Sequence, residues 1–125
     1  VDYLMVCASG GSETHGMINA AVLTALGPCG VLVNIARGSI VDEPALVEAL
    51  RSRRILAAGL DVFCSEPRVS QALRELPNVV LTPHMASTTE ATVQAMLDLA
   101  FDNLAAHFSG RPVLHQVNEP LLSDS

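Results

Sequence analysis

Four short apolar runs, each rich in β-branched residues or alanine, constrain the fold of this chain more than any other feature. The runs lie at Tyr3–Cys7, Gly30–Ala36, Leu56–Phe63 and Asn78–Thr82, and helix-like segments separate them. Strands that alternate with helical patterns indicate βαβ units and a parallel sheet. Buried parallel strands read as near-continuous apolar runs, as these do. We therefore expect an α/β fold with about four parallel strands and crossover helices.

Helical spacing and capping residues place the helices between these strands. The predicted helices are Ala20–Leu26 after Asn19, Glu43–Ser52 after Asp42, a short segment around Ser70–Leu76, and a long helix that follows Thr88 or Thr89 and ends at Phe108. The remaining residues, Val113–Ser125, are expected to form an extended arm.

The composition excludes several classes of function. The chain has 125 residues and a net charge of −6, with 7 Lys plus Arg against 13 Asp plus Glu. This charge balance does not indicate a positively charged surface for binding nucleic acid. No apolar run approaches the roughly 18 residues of a membrane span. The three cysteines show no metal-ligand spacing, which favours reduced thiols in a cytoplasmic protein and no metal site.

Three charged or titratable residues lie just beyond the ends of predicted strands: Arg37, Glu66 and His84. In open parallel sheets, ligands bind outside the carboxyl ends of the strands. The topology therefore brings a cation, a carboxylate and an imidazole to one rim, although they are far apart in the sequence. This is the arrangement of an active site.

Each of the three residues suits one chemical task. The guanidinium of Arg37 matches a carboxylate with two parallel hydrogen bonds, and Gly38 permits a tight turn after it. His84 is a candidate proton donor or acceptor, and a carboxylate such as Glu66 within reach would hold its tautomer and favour its charged form. The alternatives are an Arg37 that pairs with a helix end and a structural histidine.

Together these residues describe a site that binds a carboxylate and moves a proton at a neighbouring oxygen. That is half of a hydride transfer to a 2-oxo acid, and the other half requires a nicotinamide cofactor. Asp61, at the end of the third predicted strand, could accept a hydrogen bond from a carboxamide or could simply cap the strand end. The loop Ser9–Ser12 offers small residues and backbone amides for the close approach of a cofactor.

Three long motifs resemble signatures of the D-isomer-specific 2-hydroxyacid dehydrogenases. They are VNIARGSIVDEPAL at Val33–Leu46, AAGLDVF followed by EP at Ala57–Pro67, and NVVLTPH at Asn78–His84. The resemblance extends over about residues 1–115, and within the family it is greatest to bacterial glyoxylate/hydroxypyruvate reductases. It implies a Rossmann-like, doubly wound sheet and an oxidoreductase that uses NAD or NADP on small 2-oxo or 2-hydroxy acids.

The resemblance also implies a role for each matching residue. Arg37 would bind the substrate carboxylate, and His84 would protonate the carbonyl oxygen with Glu66 as its partner. Asp61 would hold the nicotinamide carboxamide. The other residues implied to line the cofactor are Ser9, Thr14, Ile35, Ala36 and Ala86.

One element of a dinucleotide site is absent from these residues, because no G-x-G-x-x-G follows a strand. In the family that motif precedes the segment matched here. We therefore expect residues 1–108 to be the C-terminal part of an NAD(P)-binding domain and residues 109–125 a tail that returns to a substrate domain. The family resemblance further implies a homodimer of the full-length protein.

Other classes of protein would carry parts of the same residue pattern. A phosphoglycerate dehydrogenase would carry the same three residues, whereas related formate dehydrogenases have Gln where Glu66 stands and are disfavoured. A corepressor related to the family would keep the fold and the three residues but would act as a nucleotide-sensing scaffold. The segment could also serve only as an interaction domain.

Overall fold

The computed structural model describes residues 1–117. The chain divides into two compact units, the first comprising Val1–Ala86 and the second beginning at Ser87. The first unit contains the sheet and every residue that the sequence marks as a candidate for the site. The position of the site is therefore decided within this unit alone.

The first unit is built on a four-stranded parallel sheet. The strands are β1 (Tyr3–Val6), β2 (Val31–Asn34), β3 (Ala57–Leu60) and β4 (Val79–Leu81), and they lie side by side in sequence order. Their last residues form one row across the sheet, because Val6 pairs with Asn34, Asn34 with Leu60, and Leu60 with Leu81. The segments that follow the four strands thus leave the sheet at the same edge, as predicted.

The strands are shorter than the apolar runs that predicted them. The runs continue past the row of paired residues into the turns that follow the strands. Just beyond β3 and β4, Asp61 N still donates to Asn34 O and Thr82 N to Leu60 O. After β2, the amide of Ala36 donates to Oδ1 of Asn34 at 3.1 Å. Apolar residues indicate that a segment is buried, and these turns are buried like the strands. The apolar runs therefore overestimate the length of the strands.

The helices begin and end close to the predicted residues. They are α1 (Ala20–Leu26), α2 (Glu43–Arg51), α3 (Gln71–Arg74) and α4 (Glu90–Phe108). Asn19, Asp42 and Thr89 cap α1, α2 and α4 by accepting hydrogen bonds from first-turn amides, which confirms the predicted caps and selects Thr89 over Thr88.

A single apolar cluster fills the first unit. The members that are at most 1% exposed come from α1, β2, α2, α3 and the connections before α2 and β3: Leu23, Leu32, Ile40, Leu46, Ala49, Leu50, Ile55 and Leu73. This packing supplies the rigid base from which the turns at the carboxyl edge project.

In the second unit, α4 is followed by irregular backbone. The amides of Leu114 and His115 both donate to Oδ1 of Asn103, at 2.9 and 3.2 Å. The predicted extended arm falls partly outside the described residues, since they end at residue 117. Among residues 1–117, none of the helices combines the length and apolar character that a membrane span requires.

Candidate active site

The imidazole of His84 and the carboxylate of Glu66 are in direct contact. Nδ1 of His84 lies 2.8 Å from Oε2 of Glu66, and the backbone amide of Phe63 donates to Oε1 at 2.9 Å. These two hydrogen bonds hold the pKa of Glu66 below its ordinary value, and the charges of His84 and Arg37 add to the effect. Glu66 is therefore a carboxylate with a fixed partner on each oxygen. The contact expected from the topology is present.

Arg37 lies at the tip of a short turn that follows β2. The buried amide of Asn34 closes this turn, since its Oδ1 accepts from Ala36 N and its Nδ2 donates to Arg37 O at 3.0 Å. Nη1 of Arg37 donates to Ala36 O at 2.6 Å. This leaves most of the guanidinium's five N–H groups for other partners.

Gly38 serves a different purpose from the predicted one. A Cβ at this position would lie 2.0 Å from the carbonyl carbon of Phe63, and the Sγ of Cys64 donates to Gly38 O at 3.3 Å. Gly38 is required because two backbones touch. The turn that carries Arg37 is thereby packed directly against the loop that carries Glu66.

Asp61 is buried, with 4% of its surface exposed, and its carboxylate receives three hydrogen bonds. The donors are Thr82 Oγ1 at 2.5 Å and Met85 N at 2.9 Å, both to Oδ1, and Ala86 N at 2.8 Å to Oδ2. Burial by itself raises the pKa of Asp61, but these hydrogen bonds and the charge of His84 outweigh it and lower the pKa overall. Asp61 is thus an ionised carboxylate built into the segment around His84.

Some of the residues predicted to line the cofactor share one cavity. Ser9, Ile35 and Ala36 border a cavity of about 710 Å³, together with Arg37. Thr14, Asp61 and Ala86 do not line it. Thr14 instead donates from Oγ1 to Ser9 O at 2.7 Å, so it closes the loop that forms one wall.

This cavity fits the nicotinamide end of a dinucleotide. A Cβ on Gly10 would lie 2.9 Å from Cγ of Arg37, so the glycine lets this wall lie against the aliphatic part of the Arg37 side chain. The side chain of Ile35 is 43% exposed at the rim and offers an apolar face to a flat ring. Asp61 does not line this cavity, and it uses three of its roughly four lone-pair positions.

A second cavity, of about 400 Å³, adjoins the imidazole–carboxylate pair. Its lining is largely apolar and consists of Phe63, Glu66, Pro67, Val69, Arg74, Leu81, Thr82, Pro83 and His84. Within residues 1–117, no cluster of three or more His, Cys, Asp or Glu side chains is suited to a metal ion.

Two residues of the site were not among the predicted candidates. Asn34 is 1% exposed and forms the turn of Arg37, and Thr82 bonds to Asp61. A signal for Asn34 exists, because a polar residue at the end of an apolar strand requires a partner when it is buried. Thr82 gives no comparable signal, since threonine is common in strands.

The family model for the D-isomer specific 2-hydroxyacid dehydrogenase, NAD binding domain, matches residues 1–86. The chain belongs to this family. The match covers the whole sheet and includes all of the predicted site residues. Family membership, which the motifs predicted, is confirmed.

Individual relatives agree with this assignment. Hydroxyphenylpyruvate reductase from Plectranthus scutellarioides is 53% identical over 116 residues, and 2-ketogluconate reductase from Gluconobacter oxydans is 48% identical over 116. Each alignment covers 93% of this chain but only 37% of the relative, so the chain spans little more than a third of their length.

A solved structure confirms the fold. The NADPH-dependent glyoxylate/hydroxypyruvate reductase from Sinorhizobium meliloti, in complex with NADP and malonate, is 55% identical, with a TM-score of 0.84. The similarity covers 87% of this chain and 34% of that one. The predicted Rossmann-like α/β sheet of this 2-hydroxyacid dehydrogenase segment is therefore correct.

Proposed function

We propose that this chain supplies the carboxylate-binding and proton-transferring part of an NAD(P)-dependent reductase of small 2-oxo acids, of the glyoxylate/hydroxypyruvate type. The observation that carries the proposal is the 2.8 Å contact between His84 and Glu66, at the sheet edge where Arg37 also lies. Family membership and the reductases among its relatives support the same reaction.

In the proposed reaction, Arg37 binds the carboxylate of the 2-oxo acid. Its fork-shaped guanidinium can make two parallel hydrogen bonds, which fixes the orientation of the neighbouring carbonyl group. Because the positive charge of Arg37 also acts on Glu66, the cation and the pair lie within one electrostatic field. The carbonyl oxygen is then presented to the imidazole.

His84 donates the proton in this proposal. Its Nδ1 faces Glu66, so Nε2 is the nitrogen left to donate to the carbonyl oxygen. Glu66, held by Phe63 N and kept ionised, stabilises the charged imidazole before the transfer. The carbonyl oxygen gains this proton and becomes the hydroxyl group of the 2-hydroxy acid.

Ser9, Ile35, Ala36 and Asp61 are the residues we propose to hold the nicotinamide end of NAD or NADP. When bound, this group supplies the hydride for the carbonyl carbon. Thr14 acts by closing the Ser9 loop. Ala86 acts through its amide, which helps to fix the carboxylate of Asp61. The selection of NAD or NADP depends on ribose-binding residues other than those named above.

We further propose the organisation of the whole protein that the resemblance implies. Residues 1–108 would form the C-terminal part of the nucleotide-binding domain, with residues 109–125 returning to the substrate domain. The protein would act as a cytoplasmic homodimer without nucleic-acid or membrane partners. Its three free cysteines and the exposed apolar side chains of α4, among them Phe101 at 71%, support this organisation.

The test is a steady-state assay of the full-length protein with NADH and NADPH against glyoxylate, hydroxypyruvate and phosphohydroxypyruvate. We expect turnover with the first two acids and loss of turnover in His84→Ala. Preference for phosphohydroxypyruvate would instead indicate a phosphoglycerate dehydrogenase. Cofactor binding without turnover of any 2-oxo acid would indicate a nucleotide-sensing scaffold.

A further inference from the structure

The buried carboxylate of Asp61 bonds to both sides of His84. Thr82 Oγ1 donates from two residues before the histidine, and the amides of Met85 and Ala86 donate from one and two residues after it. This carboxylate therefore anchors the loop of residues 82–86 to the end of β3.

The backbone of His84 requires such an anchor. Its φ is 53°, in the left-handed region that residues with a Cβ adopt uncommonly. Such a conformation persists where the surroundings determine it, and clusters at functional sites. The amide of His84 donates to Thr82 O at 3.1 Å, so the loop closes on itself around the histidine. The contacts to Asp61 fix both ends of that closed loop.

Glu66 cannot fulfil this task by itself. It contacts His84 only at Nδ1, at the end of a side chain that is 48% exposed. A single contact at the ring leaves the backbone and the side-chain torsions free to change. Asp61 fixes the backbone and Glu66 fixes the ring. The two carboxylates thus divide the placement of the imidazole between them.

We infer that Asp61 is a positioning residue for His84: its carboxylate holds loop 82–86 in the conformation that presents the imidazole to Glu66. This inference rests on the proposed function, in which His84 donates the proton. It extends the role implied for Asp61, the binding of the carboxamide, for which one acceptor position remains. One buried carboxylate would then set both the cofactor and the proton donor, which links their relative positions.

Three variants of the full-length protein test this inference. Thr82→Val removes one donor to Asp61 without a change in volume, and Thr82→Ser restores the hydroxyl. Asp61→Asn replaces one acceptor oxygen by a donor, which conflicts either with the amide of Ala86 at Oδ2 or with the amide of Met85 and the Thr82 hydroxyl at Oδ1. Thr24→Val is the matched control, because its hydroxyl bonds only to Ala20 O within α1.

Two readouts separate positioning from cofactor binding. We expect Thr82→Val to lower kcat about tenfold and to leave the KM for NAD(P)H within twofold of wild type, and we expect Thr82→Ser to restore kcat. The second readout is the ¹⁵N spectrum of the His84 ring in the cofactor-free protein. Thr82→Val and Asp61→Asn should both alter the Nδ1 signal that reports the contact with Glu66, whereas Thr24→Val should not.

The inference is overturned if Thr82→Val and Asp61→Asn retain the wild-type ring signal and kcat. It is also overturned if Asp61→Asn raises only the KM for the cofactor, since Asp61 would then act on the cofactor alone. If Asp61→Asn does not fold, the threonine pair decides the question. A wild-type protein without reductase activity would refute the proposed function, but the ring spectrum would still test the positioning.

Discussion

The turn that carries Arg37 and the loop that carries His84 lie at the same edge of the sheet but are held in different ways. Asn34 closes the first through contacts two and three residues along the chain. Asp61 holds the second through contacts across 21 to 25 residues. Arg37 is thus placed by local contacts, whereas His84 is placed by contacts with the end of a neighbouring strand.

The hydrogen bonds that close the turn of Arg37 involve only residues 34–37. Those of the His84 loop join the segments after β3 and β4, where Leu60 lies beside Leu81. The following changes test this contrast, and we order them from the largest expected effect to the smallest.

Replacement of the proton donor should have the largest effect. His84→Ala should lower kcat by about 10²- to 10⁴-fold, the usual contribution of general acid–base catalysis, with a smaller change in substrate KM. The measurement is steady-state kinetics of the full-length protein. The control is His107→Ala on α4, an imidazole that contacts the ring of Phe108. Near-normal turnover in His84→Ala would remove His84 from the mechanism.

Replacement of the carboxylate-binding residue should act mainly on substrate affinity. Arg37→Ala should raise the substrate KM by at least roughly 10- to 150-fold, which corresponds to the loss of a single hydrogen bond to a charged group at about 1.5–3 kcal/mol. Kinetics at saturating cofactor measure this effect, and Arg54→Ala provides the comparison for the loss of a guanidinium elsewhere. An unchanged KM would mean that Arg37 is a structural arginine.

Loss of the local support should have a smaller effect on the site. Asn34→Ala leaves the amide of Ala36 and the carbonyl of Arg37 without their partner, which should cost about 1–3 kcal/mol in the free energy of unfolding. The matched control is Asn78→Ala, since the side chain of Asn78 also makes two hydrogen bonds to backbone groups, the carbonyls of Leu50 and Leu56.

Denaturant unfolding and substrate KM together separate these two variants. Both should be destabilised, but only Asn34→Ala should raise the KM. An equal rise in KM for Asn78→Ala would show that general loosening, and not the local turn, controls the position of Arg37.

The last prediction concerns the long-range support and how its contribution to stability depends on pH. The pKa of Asp61 is below its ordinary value of 3.8 in the folded protein, so the unfolded state takes up a proton first as the pH falls. The stability that Asp61 contributes is therefore complete above pH 3.8 and is lost as the pH falls through the folded pKa.

Free energies of unfolding measured across this acid range should show the difference between wild type and Asp61→Asn shrink as the pH falls. Asp2 is exposed, so the Asp2→Asn variant provides the baseline for the loss of a carboxylate that is not buried. A difference that stays constant with pH would show that the charge of Asp61 does not contribute to the folded loop.

Much of the fold was predictable because its signals are local. Side chains next to each helix start supply the caps at Asn19 and Asp42, and four apolar runs alternate with helical patterns. The meeting of Glu66 and His84 also followed, since parallel strands end at one edge. The lengths of the strands did not follow, because buried turns and buried strands are equally apolar.

The contacts of Asp61 and the contact behind Gly38 were not predictable from local patterns. The sequence places an aspartate at the end of a strand, but whether it faces a ligand or the next loop depends on the backbone amides around it. Gly38 suggests a tight turn, yet it is required by the approach of Phe63, 25 residues further along. The number of residues between Asp61 and its donors, or between Gly38 and Phe63, follows no regular pattern that a sequence could reveal.

The sequence by itself therefore determined the parallel sheet, the edge at which chemistry can occur and the residue types present there. The apolar runs and the helical spacing suffice to predict the sheet, because these signals involve residues that are close together in the sequence. Only the tertiary structure decided which carboxylate holds which part of His84 and how closely the Arg37 turn lies to the Glu66 loop. Those outcomes depend on hydrogen bonds and backbone contacts that exist only after distant segments have packed together.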